Sequence, residues 1–225
     1  MYVFDEKAQW TTSATIHPPV AQAFANFGAS LSLSGTTLAV GAPGDFRSLY
    51  ANTTNIGAVY SYTGSASSWT FQGGIQPTDG ATTDGYGWAV GVSDAGTNGT
   101  ILVVGSPYND AAGLTDSGAA YVYRWASSEW LLQGKLTASD AVASGNFGFA
   151  VAALSDTTVL VGAPGTSEVY EFTYDGAAWT QSTLYTSCHQ AIGWNMASYD
   201  QYVATGKGND VIIDTSLPNT GCIAP

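Results

Sequence analysis

Charge is what this chain has least of. Lys, Arg, Asp and Glu make up 10% of its 225 residues, with five basic side chains against seventeen acidic ones. The net charge of −12 disfavours DNA, RNA and anionic membrane surfaces as partners. It is compatible with calcium, with basic partners and with solubility in salt. Long apolar runs are missing too. A membrane-crossing helix needs about 18 consecutive apolar residues, so no membrane insertion is expected. No secretory leader is recognisable at Met1–Asp5, which enters strand-like sequence at once. A secreted form would have lost its leader or carried it upstream. Residues that carry familiar chemistry are also scarce. There is no G-x-S-x-G, no H-E-x-x-H and no G-x-x-x-x-G-K motif. His17 and His189 lie far apart, with no Cys or carboxylate pattern around them. No catalytic residue, metal ligand or cofactor site is expected from these features.

Glycine, with 27 copies, and aromatics, at 12%, are plentiful, and hydrophobic residues reach 45%. That mixture suits many short strands and turns and is apolar enough to build a core. It does not suit helical bundles, which draw on Glu, Lys, Leu and Ala. An all-β fold is expected.

A repeat organises the chain. Four segments open it: Phe27-Gly28-Ala29-Ser30, Tyr86-Gly87-Trp88-Ala89, Phe147-Gly148-Phe149-Ala150 and Ile192-Gly193-Trp194-Asn195. The first three lead into Leu38–Pro43, Leu102–Pro107 and Leu160–Pro164, each ending Gly-Ala/Ser-Pro, and the fourth decays to Tyr202–Gly206. Then come Val59–Tyr62, Tyr121–Tyr123 and Val169–Phe172. A Trp opens the last segment, at Trp69, Trp130 and Trp179, nine residues after Tyr60, Tyr121 and Tyr170. From Trp10, Trp69 and Trp130 to the next repeat start is seventeen residues each time. Four-stranded units recurring every 49 to 61 residues are the pattern of propeller blades, each of which must stack on neighbours to cover its faces. Leu31, Leu33, Leu38 and Val40 are expected between blades. Trp88 and Trp194, at first-strand positions, are expected to fill space there, although exposed they would suit stacking on sugar rings.

These segments resemble the FG-GAP repeat family, best known from integrin alpha-subunit propellers. The likeness is closest to the variant common in bacterial and algal surface proteins. Phe27–Pro43, Gly57–Tyr62, Gly118–Tyr123 and Trp130–Asp140 carry it. It implies an extracellular propeller used for adhesion, recognition or assembly. Integrin-type blades hold calcium in the loop between their first two strands with a D-x-D-x-D-G pattern. The loops at that position here, Ser34–Thr37, Ser93–Asn98 and Ser155–Thr157, have at most one carboxylate each. Calcium takes about six to eight oxygens, so no calcium is expected there.

The expected architecture is a single β-propeller domain over residues 1–225, built of four-stranded antiparallel blades. Blades fall at about 27–77, 86–137 and 147–185, with a fourth made from 192–214 together with 2–16, which closes a ring of four. Val211–Asp214 is a surplus strand in that scheme. The alternative is a part of a larger propeller of about seven blades.

The loops after the Gly-Ala/Ser-Pro turns vary most and are the candidate partner surface: Asp45, Phe46, Arg47, Tyr108, Asn109, Asp110 and Asp116. The alternative for each is a turn-former bonding its own backbone. Asp79, Asp84 and Asp140 are expected to tie blade-to-blade connections through backbone amides. Asn52 and Asn98 begin sequons in predicted loops and are glycosylation candidates. Cys188 and Cys222 are expected to form a disulfide stapling the C-terminal end. Function is expected to be non-enzymatic: extracellular or cell-surface contact with a protein partner or with copies of itself. A carbohydrate-binding, lectin-like propeller is the second reading, and a propeller enzyme the third.

Overall fold

Short apolar stretches bounded by glycine and serine turns form seventeen β-strands and no α-helix among the described residues of the computed structural model. The described residues are 2–6, 10–45, 56–186, 195–199, 202–207 and 210–214, with side chains described for 12–45 and 56–184. Phe46, Arg47, Asn52, His189, Trp194, Cys188 and Cys222 lie outside these side chains.

Three complete antiparallel blades are present. The first runs β3 (Ser30–Ser34), β4 (Thr37–Ala42), β5 (Ala58–Ser65) and β6 (Ser68–Ile75). The second is β7 (Ala89–Ser93), β8 (Ile101–Ser106), β9 (Ala119–Ala126) and β10 (Glu129–Leu136). The third is β11 (Ala150–Ser155), β12 (Thr158–Ala163), β13 (Glu168–Tyr174) and β14 (Trp179–Thr186). Between β3 and β14 these blades follow the sequence units. In each blade the third and fourth strands slip by one residue, leaving Gln72, Gln133 and Ser182 as equivalent bulges.

The ends of the chain are arranged differently from the expected shared blade. β1 (Tyr2–Glu6) and β2 (Trp10–Thr15) pair with each other, and β15 (Asn195–Tyr199), β16 (Tyr202–Lys207) and β17 (Asp210–Asp214) form a three-stranded sheet. Val211–Asp214, surplus in the sequence scheme, thus takes the third-strand place beside β16 that the scheme gives to Tyr2–Phe4.

Both faces of the second blade's inner strands are buried, because that blade lies between two others. Along β8, Ile101 and Val103 point to one side and join Val151, Ala153, Val159 and Val161 of the third blade. Leu102 and Val104 point to the other and join Val59, Val90 and Val92. The period of two therefore sorts apolar residues between two neighbours rather than between core and water. The first strands of adjacent blades, β3, β7 and β11, run next to one another. Leu38 and Val40 are buried as expected, but Leu31 and Leu33 are 47% and 59% exposed. The reason is their register. Ser30 and Ser32 face the second blade, where Ser30 Oγ donates to Gly87 O (2.8 Å) and Ser32 Oγ accepts from the Val92 amide (2.9 Å). The intervening leucines face away from it.

At the seams the repeat's recurring glycines meet backbone. A Cβ on Gly41 would lie 2.1 Å from Gly87 O of the next blade, and one on Gly105 only 1.9 Å from Gly148 O. Gly57 and Gly118 are held as closely, against Tyr86 O and Phe147 O at 2.0 and 2.1 Å. Two parallel bridges, Gly57 to Tyr86 and Gly118 to Phe147, join neighbouring blades at these points. No side chain can move aside there, since the obstacle is the main chain itself. Gly105→Ala is therefore expected to destabilise the fold by about 3 kcal/mol, the upper range of overpacking. Gly73→Ala, where a Cβ meets nothing within 4 Å, is expected to change stability by less than about 1 kcal/mol. Urea unfolding of the two variants checks the contrast.

Each blade carries a buried tyrosine in its third strand: Tyr60, Tyr121 and Tyr170 are at most 1% exposed. Burial pushes up the pKa values of Tyr121 and Tyr170, and that of Tyr62 to about 12 from an ordinary 10. The folded state holds these protons more tightly than the unfolded chain. The stability they contribute is thus intact below pH 10 and is lost as pH climbs through the folded-state values. The expected result of an alkaline titration is a steep rise in tyrosinate absorbance coincident with loss of the β-sheet circular dichroism signal. Smooth ionisation near pH 10 with the fold intact would contradict it.

Candidate functional site

In an antiparallel four-stranded blade, the start of the first strand, the loop between the second and third, and the exit of the fourth all lie at one end. That end gathers most of the sequence candidates. Asp45 does not reach the surface: it is fully buried and its carboxylate accepts a hydrogen bond from the Tyr60 hydroxyl. Asn109 is buried as well, donating to Asp84 at 2.6 Å. These two side chains are internal latches whose bonds run to side chains 15 and 25 positions away, which neither the partner-contact nor the turn-former reading describes. Asp110 is exposed and accepts from the Asp116 amide at 2.9 Å, which shapes the loop around the 3-10 turn Ala111–Gly113. Tyr108 is half-buried, set edge-on to Trp88 with centroids 5.3 Å apart. Asn98 lies at the opposite end, exposed, with its side-chain nitrogen donating to Asp156 at 2.8 Å.

The latches follow a rule that crosses blades. Asp79, after the fourth strand of the first blade, accepts from Tyr121 of the second at 3.1 Å. Asp140, ten residues after Trp130 as Asp79 is after Trp69, accepts from Tyr170 of the third blade at 2.7 Å. Glu168 also accepts from Tyr170, at 2.7 Å. Asp79 and Asp140 do tie one blade to the next, but through tyrosine hydroxyls of the following blade, and the backbone amide that Asp79 also meets is its own. Asp84 does bind an amide, that of Ala81, at 2.8 Å. Ten residues after Trp10 the chain has Val20, whose side chain carries no carboxylate. Tyr60 takes Asp45 instead.

Electrostatics agree with these roles. Burial raises the Asp84 carboxyl. Burial also acts upward on Asp79, but Lys135, 2.8 Å away, and the Tyr121 hydroxyl outweigh it and hold that carboxyl below its ordinary value. The tyrosines, with raised pKa values, remain protonated donors at neutral pH. Among the described residues no three His, Cys, Asp or Glu side chains converge as a metal site would require. The single carboxylates in the first hairpins serve contacts between blades. Asp94 bonds Ser34 of the preceding blade, and Asp156 accepts from the amide and side chain of Asn98 at 2.7 and 2.8 Å.

The opening at the loop-bearing end is a cleft of about 520 Å³ where the first strands of the three blades converge. Asn26, Ser30, Leu31, Pro43, Trp88 and Phe149 line it. Trp88 packs 5.3 Å from Phe149 of the next repeat and is 36% exposed, so it bridges two blades and also shows a face to the cleft. Trp88 and Phe149 each stand two residues after a repeat start. Sequence reasoning gave Trp88 a packing role and missed Phe149. The repeat could have signalled both, because equivalent positions in a propeller return to the same place around its axis.

The FG-GAP repeat pattern matches residues 10–62, 69–123 and 130–180. The chain belongs to the FG-GAP repeat family. Repeats of this kind point to a propeller that serves as an interaction module. None of the curated proteins compared matches the chain. Among solved structures, it is similar to Sqt1 of Saccharomyces cerevisiae, at 12% identity over 81% of this chain and 43% of that one, with a TM-score of 0.47. It is also similar to the complex of KlAtg21 with the coiled coil of AgAtg16, at 12% identity over 81% and 50%, with a TM-score of 0.50. The chain spans half or less of the solved chains it matches.

The substitution of latches can be tested directly. Asp45→Ala is expected to cost about 1–3 kcal/mol, since it removes a carboxylate acceptor of the buried Tyr60 hydroxyl. Adding Val20→Asp, which restores the carboxylate of the other two repeats, is expected to recover part of that loss in denaturant unfolding.

Proposed function

We propose that this FG-GAP propeller chain is a non-enzymatic contact module working outside the cell or at its surface. It engages a protein partner or further copies of itself in a surface assembly. The observation that carries this reading is the aromatic cleft around Trp88. Partly exposed aromatics in a concave, weakly charged setting are typical anchors for protein contact. Exposed Phe24, Leu114 and Val142 extend the apolar character of the same end of the blades. Phe24 is 85% exposed and holds a left-handed backbone (φ 64°), a conformation costly for an aromatic residue. The cleft's lining offers stacking and hydrogen bonds rather than groups that exchange protons. The sequons at Asn52 and Asn98 and the cysteine pair Cys188 and Cys222 support an extracellular setting.

A carbohydrate ligand is the second reading, favoured by Trp88 lying beside Asn26 and Ser30 in the same cleft. Proximity labelling from the chain in its native setting separates the two. A reproducible set of extracellular protein neighbours, lost on Trp88→Ser, is expected. Neighbours inside the cell, or a set unchanged by Trp88→Ser, would contradict the proposal. Sugar-dependent retention on a glycan array, abolished by the same substitution, would favour the second reading.

A further inference from the structure

At the opposite end of the blades, each seam has a notch between one blade's third strand and the next blade's outer hairpin. The notch between the second and third blades is filled from within. Arg124, on β9, lays its guanidinium over the Tyr174 ring, 5.3 Å from its centroid. It donates to Asn98 O at 2.8 Å and to Asp156 O at 2.9 Å. Tyr174 itself packs on Trp179, with centroids 5.3 Å apart.

The notch between the first and second blades is built from equivalent positions but is empty at its centre. Trp125 stands where Tyr174 stands, four residues after the buried tyrosine of its blade, and packs on Trp130 at 5.3 Å. The residue three after the buried tyrosine is Arg124 in the second blade and Thr63 in the first. The shorter side chain leaves a cavity of about 310 Å³, lined by Thr37, Tyr62, Thr63, Gln72, Trp125 and Ser128, with Trp130 as its inner wall. Trp130 is fixed there by donating to Ser61 Oγ at 2.9 Å. Ser127 and Ser128 form the two-residue hairpin turn, with the left-handed φ of 53° and 65° that such a turn requires, and this sets Ser128 at the rim of the notch.

We infer that this notch receives an arginine side chain from a basic partner protein, in the place that Arg124 takes one blade later. Tryptophan is a better cation–π surface than the tyrosine Arg124 uses. Thr37, Thr63, Gln72 and Ser128 offer oxygen acceptors to a fork of five donors. The net charge of −12 draws a cationic partner toward the surface. This inference rests on the protein-contact reading and names the chemistry of the partner at a second face.

The test is titration of N-acetyl-arginine amide into the whole chain, followed by the indole N–H resonances. The signals of Trp125 and Trp130, assigned by single Trp→Phe changes, are expected to shift and saturate at millimolar ligand. N-acetyl-lysine amide is expected to bind several-fold more weakly. Trp125→Leu is expected to weaken arginine about tenfold, and Thr63→Arg to abolish the shift by filling the notch from within. A preserved indole spectrum and melting temperature establish that each variant folds. Unmoved Trp125 and Trp130 signals, unaltered binding by Thr63→Arg, or a response to lactose or N-acetylglucosamine in place of arginine would each overturn the inference. The cleft around Trp88 reports separately. A silent notch with Trp88-dependent neighbours sinks this inference alone, whereas a responsive notch with no extracellular neighbours sinks the broader reading.

Discussion

Neighbouring blades touch main chain to main chain, and everything else in the fold is arranged around that contact. Glycines 41, 57, 105 and 118 leave no room for a methyl group against the carbonyls of the next blade. Blades brought this close can share parallel bridges and a dry seam filled by Val, Ile and Ala. Of the motifs after which the family is named, Gly-Ala/Ser-Pro packs through Gly41 and Gly105, and the aromatic-Gly motif through Gly87 and Gly148, where a Cβ would lie 2.5 and 2.3 Å from Ala58 O and Ala119 O. They need no ligand to explain them, which agrees with the carboxylates of the first hairpins being engaged across seams.

Much of this was legible in the sequence because the repeat is local. Spacing from tyrosine to tryptophan and from tryptophan to the next start placed the blades, and alternation placed Leu38 and Val40 in the core. The failures have one physical origin. Leu31 and Leu33 look like any inner-strand leucines, and only the serine contacts made by their neighbours reveal which way they face. Asp45 and Asn109 look like loop residues, yet their partners lie 15 and 25 positions away. Asp79 and Asp140 bind hydroxyls 42 and 30 residues further on. Pairings at that range depend on how units stack, which no single unit encodes. Val20 was the overlooked clue, since an apolar residue at the aspartate position implies that Tyr60 finds another acceptor.

Small departures from the repeat decide what each seam presents. Exchanging one residue of β9 for its counterpart on β5 turns a filled notch into an open one. Trp179 shows the reverse effect. Its indole N–H is buried without a partner, and the position equivalent to Ser61, which accepts from Trp130, is Val122. The scaffold thus keeps its geometry while individual seams gain or lose polar groups, which is how one architecture supports many contact specificities.

The carboxylate–tyrosine latches have a mechanical consequence. Asp79 and Asp140 each stand at the exit of one blade and hold the heart of the next. Opening the first blade would therefore strip Tyr121 of its Asp79 acceptor, and opening the second would leave Tyr170 with Glu168 alone. Blades coupled in this way lose stability when a neighbour opens, so the array behaves less like beads on a string than like a zip. Tension applied along the chain would meet a resistance shared between neighbouring blades.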